Sequence, residues 1–248
     1  MKVKSILVSQ PEPNTVKSPY FELADKNGLK IDFRPFIQVE GVPAKEFRQT
    51  RIQILEHTAV IFTSRTAIDH FFRISKELRL TIPDSMKYFC ISEATAFYLQ
   101  KYIVYRKRKI FYADGRFNDL VNVMKKHKSE TFLVPLSDIH KQEIPELLES
   151  EGYKYTKAIL YRTVSSDLSD LSDIKYDVLV FFSPSGIKSL FQNFPDFRQD
   201  NTRIACFGPA TAKAIKDAGL RLDIQAPTAQ APSMTMALEQ YIKKNNKN

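Results

Sequence analysis

Two short stretches constrain what this chain can fold into. Residues 177–190 read DVLVFFSPSGIKSL, and residues 203–219 read RIACFGPATAKAIKDAG. In each, a β-rich apolar run stops at small hydroxyl and glycine residues, and a helical pattern starts at once. A strand feeding a helix N-terminus in this way leaves backbone N–H groups unpaired at the positive end of the helix dipole, which favours an anion. The same two designs occur earlier, as AVIFTSRTAIDHFF (59–72) and KYFCISEATAFYLQ (87–100). Their spacing agrees: Ser64 precedes Thr95 by 31 residues and Ser183 precedes Thr211 by 28, with Ala-Thr-Ala at 94–96 and at 210–212. Such a repeat points to duplication, and so to two similar lobes with a ligand site between them.

The remaining segments fit around that frame. SILVSQP (5–11) predicts a short strand, a helix from about Ser18 ends at Asn27-Gly28, and LKIDFRPFIQV (29–39) alternates as a strand that runs on as an extended linker. From about 43 the pattern resets. AKEFRQTRIQILEHT reads as an amphipathic helix, and strands then alternate with helices as far as DIHKQEIPELLESEG, which Gly152 closes. YKYTKAILYRTV is a long extended stretch, 165–177 is polar connection, and a last helix starts near Ser233 behind Pro232. Strands alternating with helices of roughly 10–15 residues indicate a parallel α/β architecture. The expected organisation is a discontinuous first lobe (1–35 plus 166–248), an inserted second lobe (43–157) and linker strands at 36–42 and 158–165.

Composition limits the function classes. With 43% hydrophobic and 26% charged residues in 248, the chain is globular rather than disordered. No stretch approaches the roughly 18 apolar residues of a membrane span, and MKVKSILVSQP goes directly into a strand, so a soluble cytoplasmic protein is expected. Cys90 and Cys206 occupy the same slot of the repeat and read as two buried free thiols. The net charge of +9 would suit nucleic acid, an anionic membrane or an acidic small molecule. Much of the excess lies in RKRK (106–109), KKHK (125–128) and the KKNNKN tail, runs that solvated loops explain. No helix-turn-helix, RNP pair or zinc spacing accompanies them. The expected partner is therefore a small-molecule substrate, with no nucleic acid, no membrane and a monomeric chain.

Several chemistries are excluded by what is missing. There is no G-x-x-x-x-G-K-[ST], no G-x-G-x-x-G and no G-x-S-x-G, and His57, His70, His127 and His140 lack metal-ligand spacing. No cofactor or metal is expected. What remains are hydroxyls and amides at helix starts: Ser64, Glu93, Ala94 and Thr95 in one repeat, and Ser183, Ser185, Gly186, Ala210 and Thr211 in the other. Each serine or threonine taken singly is an ordinary N-cap. As a set, along the strand ends of a parallel sheet, they offer many neutral donors to a multiply charged anion.

FTSRTAIDHFF, ISEATAFYL, LYRTV, FFSPSGIKSLF, FGPATAKAIKDAGL and APSMTMALEQYI, in this order, resemble the uroporphyrinogen-III synthase family over nearly the whole chain. F-x-S-P-S-G followed by G-P-A-T-A is the most specific part. The resemblance implies an α/β fold of two flavodoxin-like parallel-sheet lobes joined by a two-stranded linker, with the active-site cleft between them. It implies a cofactor-free lyase that closes hydroxymethylbilane, a linear tetrapyrrole polycarboxylate, with inversion of the last ring. By motif, Tyr161 of LYRTV matches the family's linker tyrosine, with packing as its other reading. The implied substrate-binding residues are Ser183, Ser185, Gly186, Ala210 and Thr211 in the first lobe, and Ser64, Arg65, Ala94 and Thr95 in the second. This chain departs from the family at Ser9-Gln10-Pro11, which lacks an arginine, at Thr66-Ala67 and Ser92-Glu93, which lack a glycine, and at 136–141, where an R-G-x-x-x-R-like segment is usual. Those departures leave a non-catalytic polycarboxylate-binding module as the alternative.

Overall fold

The structure, a computed structural model, describes residues 2–171 and 175–246, so part of the expected connection at 165–177 lies outside the described residues. In chain order it contains β1 (Ser5–Val8), α1 (Pro19–Asn27), β2 (Lys30–Phe33), β3 (Ile37–Gly41), α2 (Ala44–Gln49), β4 (Ala59–Phe62), α3 (Arg65–Glu77), β5 (Lys87–Cys90), α4 (Glu93–Tyr98) and β6 (Ile110–Tyr112). There follow α5 (Phe117–Met124), β7 (Thr131–Ser137), α6 (Glu143–Ser150), β8 (Lys154–Ser165), β9 (Val178–Phe181), α7 (Pro184–Asn193), β10 (Arg203–Phe207), α8 (Pro209–Asp217), β11 (Ile224–Ala226) and α9 (Met234–Asn246). The chain divides into two compact units, Met1–Gln38 with Val164–Asn248, and Val39–Thr163. The chain leaves the first along β3 and returns along β8.

In unit 1 the strand order is β2-β1-β9-β10-β11, with each neighbouring pair parallel. Alternate residues of one strand enter different cores. Ile6, Val8, Val178 and Val180 pack on one face, and Leu7, Leu179 and Phe181 on the other. That two-sided burial explains why the strands read as continuous apolar runs. Unit 2 repeats the arrangement. Val60 and Phe62 of β4 face one core while Ala59 and Ile61 face the other, within the sheet order β3-β8-β7-β4-β5-β6.

Counted by its own strands, unit 1 has the flavodoxin order 2-1-3-4-5. In unit 2, β8-β7-β4-β5-β6 gives that same order once counting begins at β7, so the two sheets match after a cyclic shift of the chain. The shift makes β7, β4 and β5 the counterparts of β1, β9 and β10. SRTA then corresponds to SPSG, and SEATA to GPATA.

Local chemistry sets the element ends. Ser18 accepts the Tyr20 N–H ahead of Pro19, and Gly28 ends α1 in the left-handed conformation, φ 60°. The stretch at 29–39 is two strands, because Arg34 still donates to Val8 but Pro35 has no N–H with which to continue the ladder. The helix expected from 44 to 58 stops at Gln49. The Thr50 hydroxyl donates to the Phe47 carbonyl and accepts the Ile52 N–H, and Arg51 takes φ 58°. The helix expected from Asp138 begins only at Glu143, since Asp138 is engaged in a turn. Among the described residues, no helix is long and apolar enough to cross a membrane.

Candidate functional site

In an open parallel sheet, a crevice opens at the strand C-termini where neighbouring connections leave in opposite directions. In unit 1 this point lies between β1 and β9. Ser9, just after β1, donates its N–H to Val180 at 3.0 Å and is nearly buried. Ser183, just after β9, is the N-cap of α7, and its hydroxyl accepts the Gly186 N–H at 3.2 Å. A Cβ placed on Gly186 would sit 3.3 Å from the Phe181 ring and 3.9 Å from the Ser9 hydroxyl, so glycine keeps this corner narrow. Ser185 leaves its N–H without an acceptor among the described residues.

One strand further, α8 begins in another way. Its N-cap is Gly208 at φ 91° and ψ 154°, a conformation that essentially only glycine adopts, and no side chain caps the helix. Pro209 has no N–H. The N–H groups of Ala210 and Thr211 meet no acceptor among the described residues, and Thr211 is only 2% exposed. Two adjacent backbone donors on a helix dipole, with no acidic residue in the first turn, are groups of the kind that can take a carboxylate.

In unit 2 the corresponding point lies between β7 and β4. Ser64 caps α3, its hydroxyl accepting the Ala67 N–H at 3.0 Å. β8 brings the Tyr161 hydroxyl to 3.4 Å from that of Ser64. The Tyr161 ring is largely buried and stacks on His70, with centroids 5.0 Å apart and planes at 16°. Arg73 fixes the imidazole by donating Nε–H to His70 Nδ1 at 3.1 Å, which leaves the proton of the neutral ring on Nε2. Burial, and then the charge of Arg73, lower the His70 pKa, so the ring is neutral at pH 7. Arg73 is itself held by the carbonyls of Val42 and Leu160. A Cβ on Gly41 would meet its guanidinium at 2.6 Å, so a side chain there would push Arg73 out of this position.

Arg65 is exposed, with its guanidinium 5.4 Å from the centroid of the Tyr98 ring, and the Tyr98 hydroxyl donates to Asp69. At α4 the cap is Ser92, which accepts the Thr95 N–H at 3.3 Å and meets the Thr95 hydroxyl at 3.0 Å. Thr95 is buried and its hydroxyl is occupied by Ser92, whereas Ala94 is exposed and Glu93 sets a carboxylate in the first turn. After β7, Asp138 receives hydrogen bonds from the N–H groups of Ile139 and Thr163 and from the Ser137 hydroxyl. Burial alone would raise the Asp138 pKa, but these bonds lower it.

The structure thus brings Ser64 and Tyr161 together in unit 2, and Ser183 and Gly186 beside Ser9 in unit 1. Thr211 and Thr95 lie one strand away from those pairs. Ser9, His70, Arg73 and Ser92 were not candidates from sequence. Only the i, i+3 spacing of His70 and Arg73 on α3 hinted at a shared face. Both cysteines are buried and free, and burial pushes the Cys90 thiol up to about 12.

A family model described as uroporphyrinogen-III synthase HemD matches residues 18–236. The uroporphyrinogen-III synthase of Saccharomyces cerevisiae S288c is 28% identical over 145 residues, 52% of this chain and 52% of the yeast protein, so the chain spans about half the length of that curated relative. Among solved structures, the uroporphyrinogen-III synthetase of Helicobacter pylori 26695 superposes with a TM-score of 0.62 at 17% identity, over 98% of this chain and 100% of that one. A mutant uroporphyrinogen III synthase of Thermus thermophilus gives 0.53 at 15% identity, over 99% and 100%. At such identities the structural likeness speaks for the fold.

Proposed function

The chain belongs to the uroporphyrinogen-III synthase family, and from that premise we propose that it is a lyase converting hydroxymethylbilane to uroporphyrinogen III. The terminal C–O bond of the linear tetrapyrrole breaks and the oxygen leaves as water. The methylene freed of its oxygen bonds the substituted α-carbon of the last ring to give a spiro centre. The older methylene bond to that carbon breaks, and that methylene rebonds at the ring's free α-carbon, which gives up the balancing proton. The observation that carries this reading is the family match, which runs through the strand-end motifs of both units.

In this reading the Ser185, Ala210 and Thr211 N–H groups hold substrate carboxylates, with Ser183 and Gly186 shaping the corner and Ser64, Arg65 and Ala94 contributing from unit 2, where Ser92 already occupies Thr95. Tyr161 supplies a hydroxyl to the departing oxygen. The neutral His70 ring beneath it, and the Ser64 hydroxyl beside it, support that role. The substrate is already reactive, so holding one geometry and excluding water are the main tasks. We further place the chain in the cytoplasm as a monomer, which sedimentation at the mass of one chain checks.

Purified protein given hydroxymethylbilane made in situ is expected to yield the type III isomer. Accumulation of the spontaneous type I isomer alone would remove the enzyme reading and leave a polycarboxylate-binding protein.

A further inference from the structure

We infer that residues 102–109 and the groove beside them dock this chain on an anionic lipid surface. The loop joins the end of the α4 segment to β6. It carries Arg106, Lys107 and Arg108, all exposed, and closes in a turn where the Lys109 N–H donates to the Arg106 carbonyl at 2.9 Å. Arg106 pairs with Asp84 at 3.2 Å, but Lys107 and Arg108 meet no acceptor among the described residues. A solvated loop would explain those charges alone. It does not explain Val104, which is 78% exposed two residues before Arg106, or Phe97, which is 55% exposed and stacked on Tyr105 with centroids 5.7 Å apart.

A cavity of about 980 Å³ adjoins the loop, lined by Phe72, Leu80 and Ile82, by the cations Lys76 and Arg79, and by Asp69 and Asp84, which pair with Lys101 and Arg106. Neither Lys76 nor Arg79 has a partner among the described residues. Aliphatic side chains held out beside a run of cations match the boundary between lipid headgroups and hydrocarbon, where the apolar tip enters and the cations stay with the phosphates. Nucleic acid would use the cations and the aromatic pair but has no use for a protruding valine. The loop enters β6 at its N-terminal end, and Lys76 and Arg79 lie at the end of α3 away from Ser64, so within unit 2 the cationic groove lies toward the sheet edge opposite Ser64, while Tyr105 reaches back toward Glu93. Docking there leaves the Ser64 edge free.

The test is flotation of the whole chain with vesicles of phosphatidylcholine containing phosphatidylserine, against phosphatidylcholine alone. The wild type is expected to float only with the anionic vesicles and to be released by salt. Each cation removed should lower the partition coefficient by about 5-fold, so that R106S/K107S/R108S loses on the order of 100-fold. V104D should lose about 10-fold or more at unchanged net positive run, with thermal unfolding unaltered in both variants. Wild-type protein that stays unbound at low salt overturns the proposal, as does flotation that survives either variant. Retention on single-stranded polyuridylate without vesicle binding would also overturn it and assign the basic loop to nucleic acid.

Discussion

The two units carry the same strand-to-helix joints yet present them differently. At α8 of unit 1 a left-handed glycine replaces the capping side chain, so Ala210 and Thr211 keep their N–H groups open. At α4 of unit 2, Ser92 takes the Thr95 N–H and hydroxyl for itself, and Glu93 adds negative charge to the first turn. A helix start that caps itself gains stability but gives up its attraction for an anion. Unit 1 thus offers backbone to a carboxylate, while unit 2 offers side chains: Tyr161 over His70, and Arg65 over Tyr98.

The largest effect should come from Gly208→Ala. A Cβ there meets nothing within 4 Å, so any loss comes from the backbone conformation alone. The cost to stability should be about 1–3 kcal/mol in thermal unfolding. Because relaxing the strain turns the Ala210 and Thr211 donors, type III product formation should fall on the order of 100-fold. Ser92→Gly in unit 2 removes both the cap and the partner of the buried Thr95 hydroxyl, so it should cost about 1–3 kcal/mol of stability and leave product formation nearly unchanged. If both variants lose activity equally, the contrast between the helix starts is wrong.

Next in size is the pair Thr211→Val and Thr95→Val, both isosteric at buried positions. The Thr211 hydroxyl has no partner among the described residues, so its loss should spare stability and reduce turnover about 10-fold, the worth of roughly one hydrogen bond. Thr95→Val breaks a bond to Ser92, so stability should drop by about 1 kcal/mol with turnover little changed. Ser169→Ala is a suitable surface control. Ser165 is not, because its hydroxyl donates to Ser189 at 2.6 Å and accepts from Asn193.

Much of the frame was legible because it is written locally. Ser18, Gly28 and Gly152 mark helix ends by their own conformational chemistry, and the apolar runs at 59–62 and 178–181 admit only doubly covered strands. What was not legible depends on contacts distant in sequence. The alternation of 29–39 cannot show that Lys30–Phe33 and Ile37–Gly41 join different sheets. Nothing near Gly41 announces Arg73, and nothing in SEATA says whether Ser92 or a ligand takes the Thr95 hydroxyl. The cyclic shift of unit 2 is likewise a property of pairing, since the two repeats keep the same chain order.

Tyr161→Phe sharpens the contrast from the other side. If unit 2 serves mainly to position, removing the hydroxyl should slow type III formation a few-fold, far short of the roughly 10²–10⁴ lost with an essential proton donor. The His70 stack survives that change, so unfolding should barely move. Tyr161→Ala, which also removes the stack, should lower both activity and stability. A loss as large for phenylalanine as for alanine would make the hydroxyl itself the main contribution of unit 2.

The smallest effect concerns protonation, and it again separates the units, because all four histidines lie between residues 39 and 163. His70 faces Arg73, Asp69 and Glu77 around its ring as well as Tyr161, and burial with Arg73 holds its pKa below the ordinary value. The folded chain therefore binds that proton less readily than the unfolded chain. Stability present above about pH 6.5 should decline as pH falls toward the folded pKa. His70→Phe keeps a flat ring against Tyr161 and cannot titrate, so its urea midpoint should change less between about pH 7.5 and about pH 5.5 than that of the wild type. A residual slope is expected from His127, whose pKa burial and Lys87 also lower. Equal slopes for wild type and His70→Phe would mean that folding leaves the His70 pKa unshifted, so that burial beside Arg73 does not disfavour the imidazolium under Tyr161.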